Sequence, residues 1–308
     1  MKIAHISDLH LNTIYRDSNL REIKSLLSFC NEINVDHLAI TGDLTDDASE
    51  VDLKILKKTL KSFGFYNGEK LSVIIGNHDI YGGVQKAEEI FTYPERCRNA
   101  NYNEKIKVFN SIFEHTFDNC VYRSDLLSYP YAKIVKDVLF IGINSNAEYS
   151  SVTNPFASNG EVSYRQQSEL TELLLKFKSL VKYKVILIHH HFNKIKNPNN
   201  LSAAGLWQNI EKQTMKLRKK KKLLKIFNKF NIDLVLHGHL HETKSYQKSD
   251  VNFLNAGGSI KCVNSKKLKF NIARITPAGI DCEIIKLPRD YFNSADNAKN
   301  FYIRKESA

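Results

Sequence analysis

The chain has 308 residues and a mass of 35.4 kDa, with 42% hydrophobic and 25% charged residues. That composition excludes a disordered or collagen-like chain, and the length lets a domain bury its core without disulfides or structural metal. The net charge of +12 and pI near 9.3 favour anionic partners, but they bear on association and not on fold.

Cys30, Cys97, Cys120, Cys262 and Cys282 are scattered, odd in number and without CxxC spacing, so neither a zinc ribbon nor a disulfide framework is expected. No apolar run approaches the roughly 18 residues of a membrane span, and no apolar leader precedes the first strand. The expectation is a cytoplasmic protein with reduced thiols. The sequence specifies no oligomeric state.

In chain order, Ile3 to Ile6 reads as a buried strand, and Asn19 to Ile33 as a helix with Leu20, Ile23, Leu26, Leu27 and Cys30 at helical spacing. Val35 to Ile40 is the next strand, Val51 to Phe63 the next helix, and Leu71 to Ile75 a strand that breaks at Gly76-Asn77. Residues 81–130 are polar, aromatic and helix-leaning, and are read as a helical cap inserted into the domain. Strands are expected at Val138 to Ile143, Val185 to Ile188 and Leu234 to Leu236, with a helix from Gln166 to Phe177. Further strands are expected at 251–255, 268–275 and 281–285, giving one domain over 1–285 and a polar, partly loose tail over 286–308. Strand–helix alternation argues for parallel βαβ units, whose ligands gather beyond the carboxyl ends of strands.

Five polar clusters stand at those strand ends: Asp8-Leu9-His10, Gly42-Asp43, Gly76-Asn77-His78-Asp79, His189-His190 and Gly238-His239-Leu240-His241. All are oxygen or nitrogen donors and none is a thiol, a mixture that suits Mn, Fe or Zn. An extended backbone would turn Asp8 and His10 to the same side. Gly42 permits a sharp turn before Asp43, whose two oxygens suffice to bridge two ions. Taken singly, an Asp, Asn or His at a strand end is the ordinary cap or turn residue. Taken jointly and in this order, the clusters point to a two-metal catalytic centre.

The pattern resembles the calcineurin-like metallophosphoesterase superfamily: D-x-H at Asp8/His10, G-D-x-x-D at Gly42/Asp43/Asp46, G-N-H-D at Gly76 to Asp79, H-H at His189/His190 and G-H-x-H at Gly238/His239/His241. The wording Ser-Asp-Leu-His-Leu and Thr-Gly-Asp-Leu-Thr-Asp is closest to the branch containing cyclic-nucleotide phosphodiesterases. The resemblance implies an α/β fold, a four-layer αββα sandwich of two mixed sheets flanked by helices. It implies one ion held by Asp8, His10 and His241, a second by Asn77, His189 and His239, and Asp43 between them. His78 would face the leaving group, with Asp79 in a catalytic role beside it and Asp79 or Asp46 orienting the ligands. The implied reaction is hydrolysis of a phosphate ester, favouring a phosphodiester such as a cyclic nucleotide. A hydroxide bridging the ions would attack in line, and His78 would protonate the leaving alkoxide.

Two departures stand out. The family often has proline soon after His-His, where this chain has His191-Phe192, and Asn144-Ser145 stands where relatives commonly carry Asp-Ser or Asp-Thr. His190 is read equally as structural and as a phosphate contact. His5, His37, His115 and His237 are read as structural. The lysine-rich segment 216–225 is read as the solvated face of a helix that packs Leu217, Leu223, Leu224 and Phe227, with nucleic-acid binding the less favoured reading. The tyrosines and arginines of 81–130 and 146–165 are read evenly as substrate wall or internal packing. A DNA nuclease of the same superfamily, a phospholipid or lipid-precursor hydrolase, and a non-catalytic scaffold are the competing functions.

Overall fold

The computed structural model describes residues 1–16, 18–84, 88–193, 215–260 and 266–294; Cys262 and the tail from 295 lie outside the described residues. The early half alternates as expected: β1 (Lys2–Ile6), α1 (Ser18–Glu32), β2 (His37–Thr41), α2 (Glu50–Ser62) and β3 (Leu71–Ile74). A helical stretch follows, α3 (His78–Tyr81), α4 (Glu89–Asn99) and α5 (Tyr102–Ile112), with a 3-10 turn at Glu114–Phe117. Next come β4 (Cys120–Arg123), β5 (Tyr131–Val135), β6 (Val138–Ile143), α6 (Tyr164–Lys176) and β7 (Tyr183–Ile188). The last third holds α7 (Lys220–Lys229), β8 (Leu234–His237), β9 (Thr243–Lys248), β10 (Val251–Ala256), β11 (Lys267–Thr276), β12 (Gly279–Pro288) and α8 (Tyr291–Ser294).

Two mixed sheets face each other. One has the order β12-β11-β1-β2-β3 and the other β4-β5-β6-β7-β8-β10-β9. The strands β1, β2 and β3 are parallel, as are β6, β7, β8 and β10, while β4, β5, β9, β11 and β12 run antiparallel to their neighbours. Parallel strands buried on both faces read as continuous apolar runs, which is why β2 and β6 have no exposed residue. Between the sheets, His37 stacks on Phe140 with ring centroids 4.2 Å apart, and the Tyr131 hydroxyl donates to the Val73 carbonyl at 3.1 Å. The outer face of the larger sheet is covered by α6 and α7, which bury Leu170, Leu174, Leu223 and Phe227.

Helix starts follow local chemistry. The hydroxyls of Ser49 and Ser163 and the amide oxygen of Asn101 accept from the third residue of α2, α6 and α5, satisfying one orphan N–H in each. The segment 81–130 joins the main core through Ile106, Phe109 and Phe113 and does not stand apart from it. Its tyrosines are tied inward: Tyr81 donates to Ala147, Tyr93 to Gly82 and Tyr102 to Asn146. The tail is anchored as far as Ser294, because β12 runs on to Pro288 and Tyr291 packs edge-on against Phe29 at 5.5 Å.

Lys133 points into the interior of β5 and is 1% exposed. Its ammonium donates to the carbonyls of Gly68 and Thr116, both at 2.9 Å, and of Leu71. Burial pulls its pKa down to about 8. Lys133→Met removes a charge that is costly to bury but strands three acceptors, each worth about 1–3 kcal/mol when unpaired. The net expectation is a loss of about 3 kcal/mol, read from the urea midpoint; an unchanged midpoint would show that the carbonyls find other donors.

Candidate metal centre

All five clusters lie where the sequence places them, beyond the carboxyl ends of β1, β2, β3, β7 and β8. Beyond β1 and β2 the two chains continue side by side: the N–H of Asp8 donates to Gly42 O at 3.1 Å, that of His10 to Asp43 O at 3.0 Å, and that of Leu11 to Leu44 O at 2.9 Å. The expected extended geometry at Asp8 and His10 is not what forms. Asp8 (φ 54°), His10 (φ 44°), Asp43 (φ 51°) and His239 (φ 72°) all adopt left-handed backbone. Asp and His tolerate this region better than branched residues, and each such residue costs on the order of 1 kcal/mol or more. At these four positions a turn, not a strand, aims the donors inward.

Three groups of donors result, each with its ligand atoms within 4.8 Å of one another: Asp8, His10 and His241; Asp43, His189 and His239; and His10, Asp46 and His78, which shares His10 with the first. In the first, His10 Nε2 lies 3.0 Å from His241 Nε2 and 4.0 Å from Asp8 Oδ1. In the second, His189 Nε2 lies 3.1 Å from His239 Nδ1, 3.1 Å from Asn77 Oδ1 and 3.3 Å from Asp43 Oδ2. The far nitrogens are spoken for. His10 Nδ1 meets Asp46 Oδ1 at 3.0 Å and His189 Nδ1 meets the Thr41 carbonyl at 2.7 Å, so both carry the proton there. Their Nε2 atoms are thereby turned into the centre, that of His10 toward His241 and Asp8 and that of His189 toward His239, Asn77 and Asp43, where neutral rings would offer lone pairs to a cation.

Electrostatics agree with that reading. Burial alone would raise both carboxylates, and it takes Asp8 up to about 7. At Asp43 the neighbouring His189, His78 and His10 outweigh burial and hold the carboxyl well below its usual range. Burial works against the His189 imidazolium, but Asp43 overrides it and lifts the pKa to about 9. The pair thus shares a proton, whose positive charge a metal ion would take over. The donor set fits hard or borderline cations. His239 adds a sign of its own: its Nε2 is buried and makes no hydrogen bond to the described residues.

His78 sits at the edge of the centre. Its ring is edge-on to His10 at 4.7 Å, its N–H donates to Asp43 Oδ1 at 2.9 Å, and its Nδ1 meets the Asp46 carbonyl at 3.2 Å. Nε2 makes no hydrogen bond to the described residues, and the side chain is 23% exposed, against 0% for His10 and His189. It is open toward solvent where a substrate would enter.

Asp79 is differently placed from the catalytic expectation. One of its oxygens accepts from the N–H groups of Leu44 and Thr45, each at 2.9 Å, and the other from Gly76 N–H at 2.9 Å. With its oxygens thus engaged, it locks the loops that carry Asp43 and Asn77. His190 is likewise enclosed. Its Nδ1 meets the Ser145 hydroxyl at 2.8 Å and its Nε2 the Ser158 carbonyl at 3.3 Å, while burial, with help from His189, keeps it neutral. Nothing of His190 is left for a phosphate.

Sequence reasoning did not find Arg16, whose guanidinium meets Asp46 Oδ2 at 3.0 Å while Asp46 holds His10. Arg16 lies in a loop with no spacing signal; only the paired loops bring it over Asp46. His5, His37 and His237 are buried and bonded to Thr41, Ser72 and Tyr246, which accords with structural roles.

Glycines let the loops close. A Cβ on Gly238 would overlap Ser7 Oγ and Asp8 Oδ2, and one on Gly76 would overlap Asp43. Gly238→Ala should therefore displace the Asp8 carboxylate and weaken metal affinity about 10–100-fold, the range seen when a ligand's support is disturbed. Metal titration reads this; wild-type affinity in the variant would show that the loop shifts without moving Asp8.

The family profile for calcineurin-like phosphoesterases matches residues 1–243, and the chain belongs to that family. It is a metal-dependent phosphoric ester hydrolase of a family that typically binds two metal ions. A relative described as a probable cyclic nucleotide phosphodiesterase, from Ruthia magnifica subsp. Calyptogena magnifica, is 22% identical over 274 residues, covering 87% of this chain and 90% of the relative. A crystal structure of a dimetal phosphatase from Danio rerio superposes with a TM-score of 0.57 at 13% identity, covering 94% of this chain and 96% of the other. Purple acid phosphatase from yellow lupin (Lupinus luteus) gives 0.56 at 11% identity, covering 98% and 52%. At these identities the two structures speak for the fold. No helix among the described residues is long and apolar enough to cross a membrane.

Proposed function

We propose that the protein hydrolyses a phosphodiester, with a nucleotide diester such as a cyclic nucleotide as substrate, at a centre of two ions drawn from Mn, Fe and Zn. The observation that carries this is the convergence of Asp8, His10 and His241 in one group and of Asp43, His189 and His239 in another, with Asn77 Oδ1 at 3.1 Å from His189 Nε2. Asp8, His10 and His241 would hold one ion, Asn77, His189 and His239 the other, and Asp43 both. Bound there, such ions supply an activated water at neutral pH and offset phosphate charge.

The chain's own residues do the rest. Asp46 and Thr41 fix the tautomers of His10 and His189. Asp79 fixes the loops of Asp43 and Asn77. His78, whose Nδ1–H donates to the Asp46 carbonyl, would in its doubly protonated form pass the Nε2 proton to the departing oxygen and be left as the neutral Nδ1–H ring. The name of the Ruthia magnifica relative supports a cyclic nucleotide as the first compound to try. Unpaired Cys30, Cys97, Cys120 and Cys282 suit the reducing cytoplasm.

The test is turnover of a panel in Mn²⁺: cyclic nucleotides, a generic aryl diester, an aryl monoester, DNA and a phospholipid, each against Asp43→Asn. Diester turnover that the variant lacks is the expected result. Hydrolysis of monoesters alone would overturn the reading, and DNA or phospholipid as the preferred substrate would replace the cyclic nucleotide.

A further inference from the structure

The lysine-rich segment is not simply one face of a helix. The helix begins only at Lys220, and residues 215–219 form an irregular run that docks beside the metal centre. Gly160 N–H donates to Lys216 O at 2.9 Å, Arg218 N–H donates to Gly160 O at 2.7 Å, and His191 Nε2 meets Met215 O at 2.9 Å. A Cβ on Gly160 would strike the His190 ring, so this run lies against the turn that follows His189. Leu217 is 3% exposed and anchors it from below, outside the helix to which its spacing assigns it.

From 216 to 229, eight of fourteen residues are Lys or Arg and none is Asp or Glu. Glu161 pairs with Arg218 and Lys219. Lys216, Lys221 and Lys225 are exposed and have no carboxylate partner among the described residues. Lys219 and Lys222 bracket the Tyr164 ring at 5.0 and 4.5 Å, and Tyr164 stays 62% exposed. The helix dipole adds to the repulsion, because Lys220, Lys221 and Lys222 occupy the first turn, which has no acidic residue and no side-chain cap. Lys220 and Lys222 are tied within the fold, to Asn193 O at 3.1 Å and to the Tyr164 hydroxyl at 3.0 Å, so the charge that folding leaves without a carboxylate partner is that of Lys216, Lys221 and Lys225. Tyr15, five residues past His10 and next to Arg16, is also 62% exposed.

A basic strip with exposed aromatics is the combination that holds single strands: cations follow the backbone and rings stack on bases. We propose that residues 216–225, with Tyr164, form a docking surface for single-stranded nucleic acid on the rim of the metal centre. It rests on the proposed phosphodiesterase reading only for the fate of the strand, since a phosphodiester backbone laid along this rim leads toward the metal ligands.

The test is anisotropy of a labelled deoxythymidine oligomer with the full chain, titrated with salt, for wild type and the quadruple variant K216Q/K221Q/K222Q/K225Q. The salt slope should fall by about 3, at ~0.7 for each phosphate that a lysine no longer neutralises, and affinity in ~0.1 M salt should drop at least ~30-fold. Melting temperature and aryl-diester turnover should stay at wild-type values, since none of the four lysines belongs to the metal centre. Equal binding by both proteins overturns the proposal, as does absence of binding by wild type or preferential binding of phosphatidylserine vesicles. Lysine-dependent binding without any diester turnover supports the surface and counts against the phosphodiesterase reading instead.

Discussion

Replacing Asp43 with Asn should reduce kcat/KM on any accepted diester by at least ~10³-fold while leaving the fold intact. The change keeps the shape of a side chain that is 1% exposed and preserves an oxygen to accept from His78 N–H. What it removes is charge. Asp43 is the anion that holds His189 at about 9, and it touches the second ligand group directly. If the charge stabilises the transition state through the cations by several kcal/mol, each 1.4 kcal/mol removed is a tenfold fall in rate. Urea unfolding should show a lower midpoint but still a cooperative transition, because the folded state favours the Asp43 carboxylate beside His189 and the variant leaves that buried ring without its anion. Turnover within tenfold of wild type would mean that Asp43 does not join the two groups.

His78→Ala should divide substrates by leaving group. His78 meets the centre through its backbone N–H on Asp43, its Nδ1 on Asp46 and its ring edge-on to His10, and its Nε2 makes no hydrogen bond to the described residues. A general acid is worth about 10²–10⁴ where the departing alkoxide is poor, and little where the departing phenolate needs no proton. The alkyl diester should therefore lose about 10²-fold or more in kcat, with the activated aryl diester little changed. A uniform loss across both would give His78 a role in binding; no loss on either would remove it from the reaction.

Much of the centre was legible because metal ligation demands particular atoms, and strand ends are where chains can present them. Asp8, His10, Asp43, Asn77, His189, His239 and His241 come together as their spacing suggests. The direction of each side chain was less legible. The alternation rule for Asp8 and His10 assumes extended backbone, yet both turn through left-handed conformations that leave no trace in spacing. Asp79 adjoins His78 in sequence, but the start of α3 turns it inward onto backbone N–H groups.

Strands were legible when apolar and missed when polar. β9 reads Thr-Lys-Ser-Tyr-Gln-Lys because it is a sheet edge, and β5 carries Lys133 at its middle because three carbonyls receive the ammonium. The helix expected over 216–225 starts late because the chain first lies against Gly160. None of these interactions is encoded locally. Each depends on an element far along the chain.

The central claim is that these residues form one centre for two ions joined by Asp43. Its most direct test is metal content per chain after loading with Mn²⁺ and desalting, by inductively coupled plasma mass spectrometry, with wild type and Asp43→Asn side by side. The account predicts two equivalents in wild type and fewer than two in the variant. One equivalent or none in wild type, or two retained without Asp43, would contradict it.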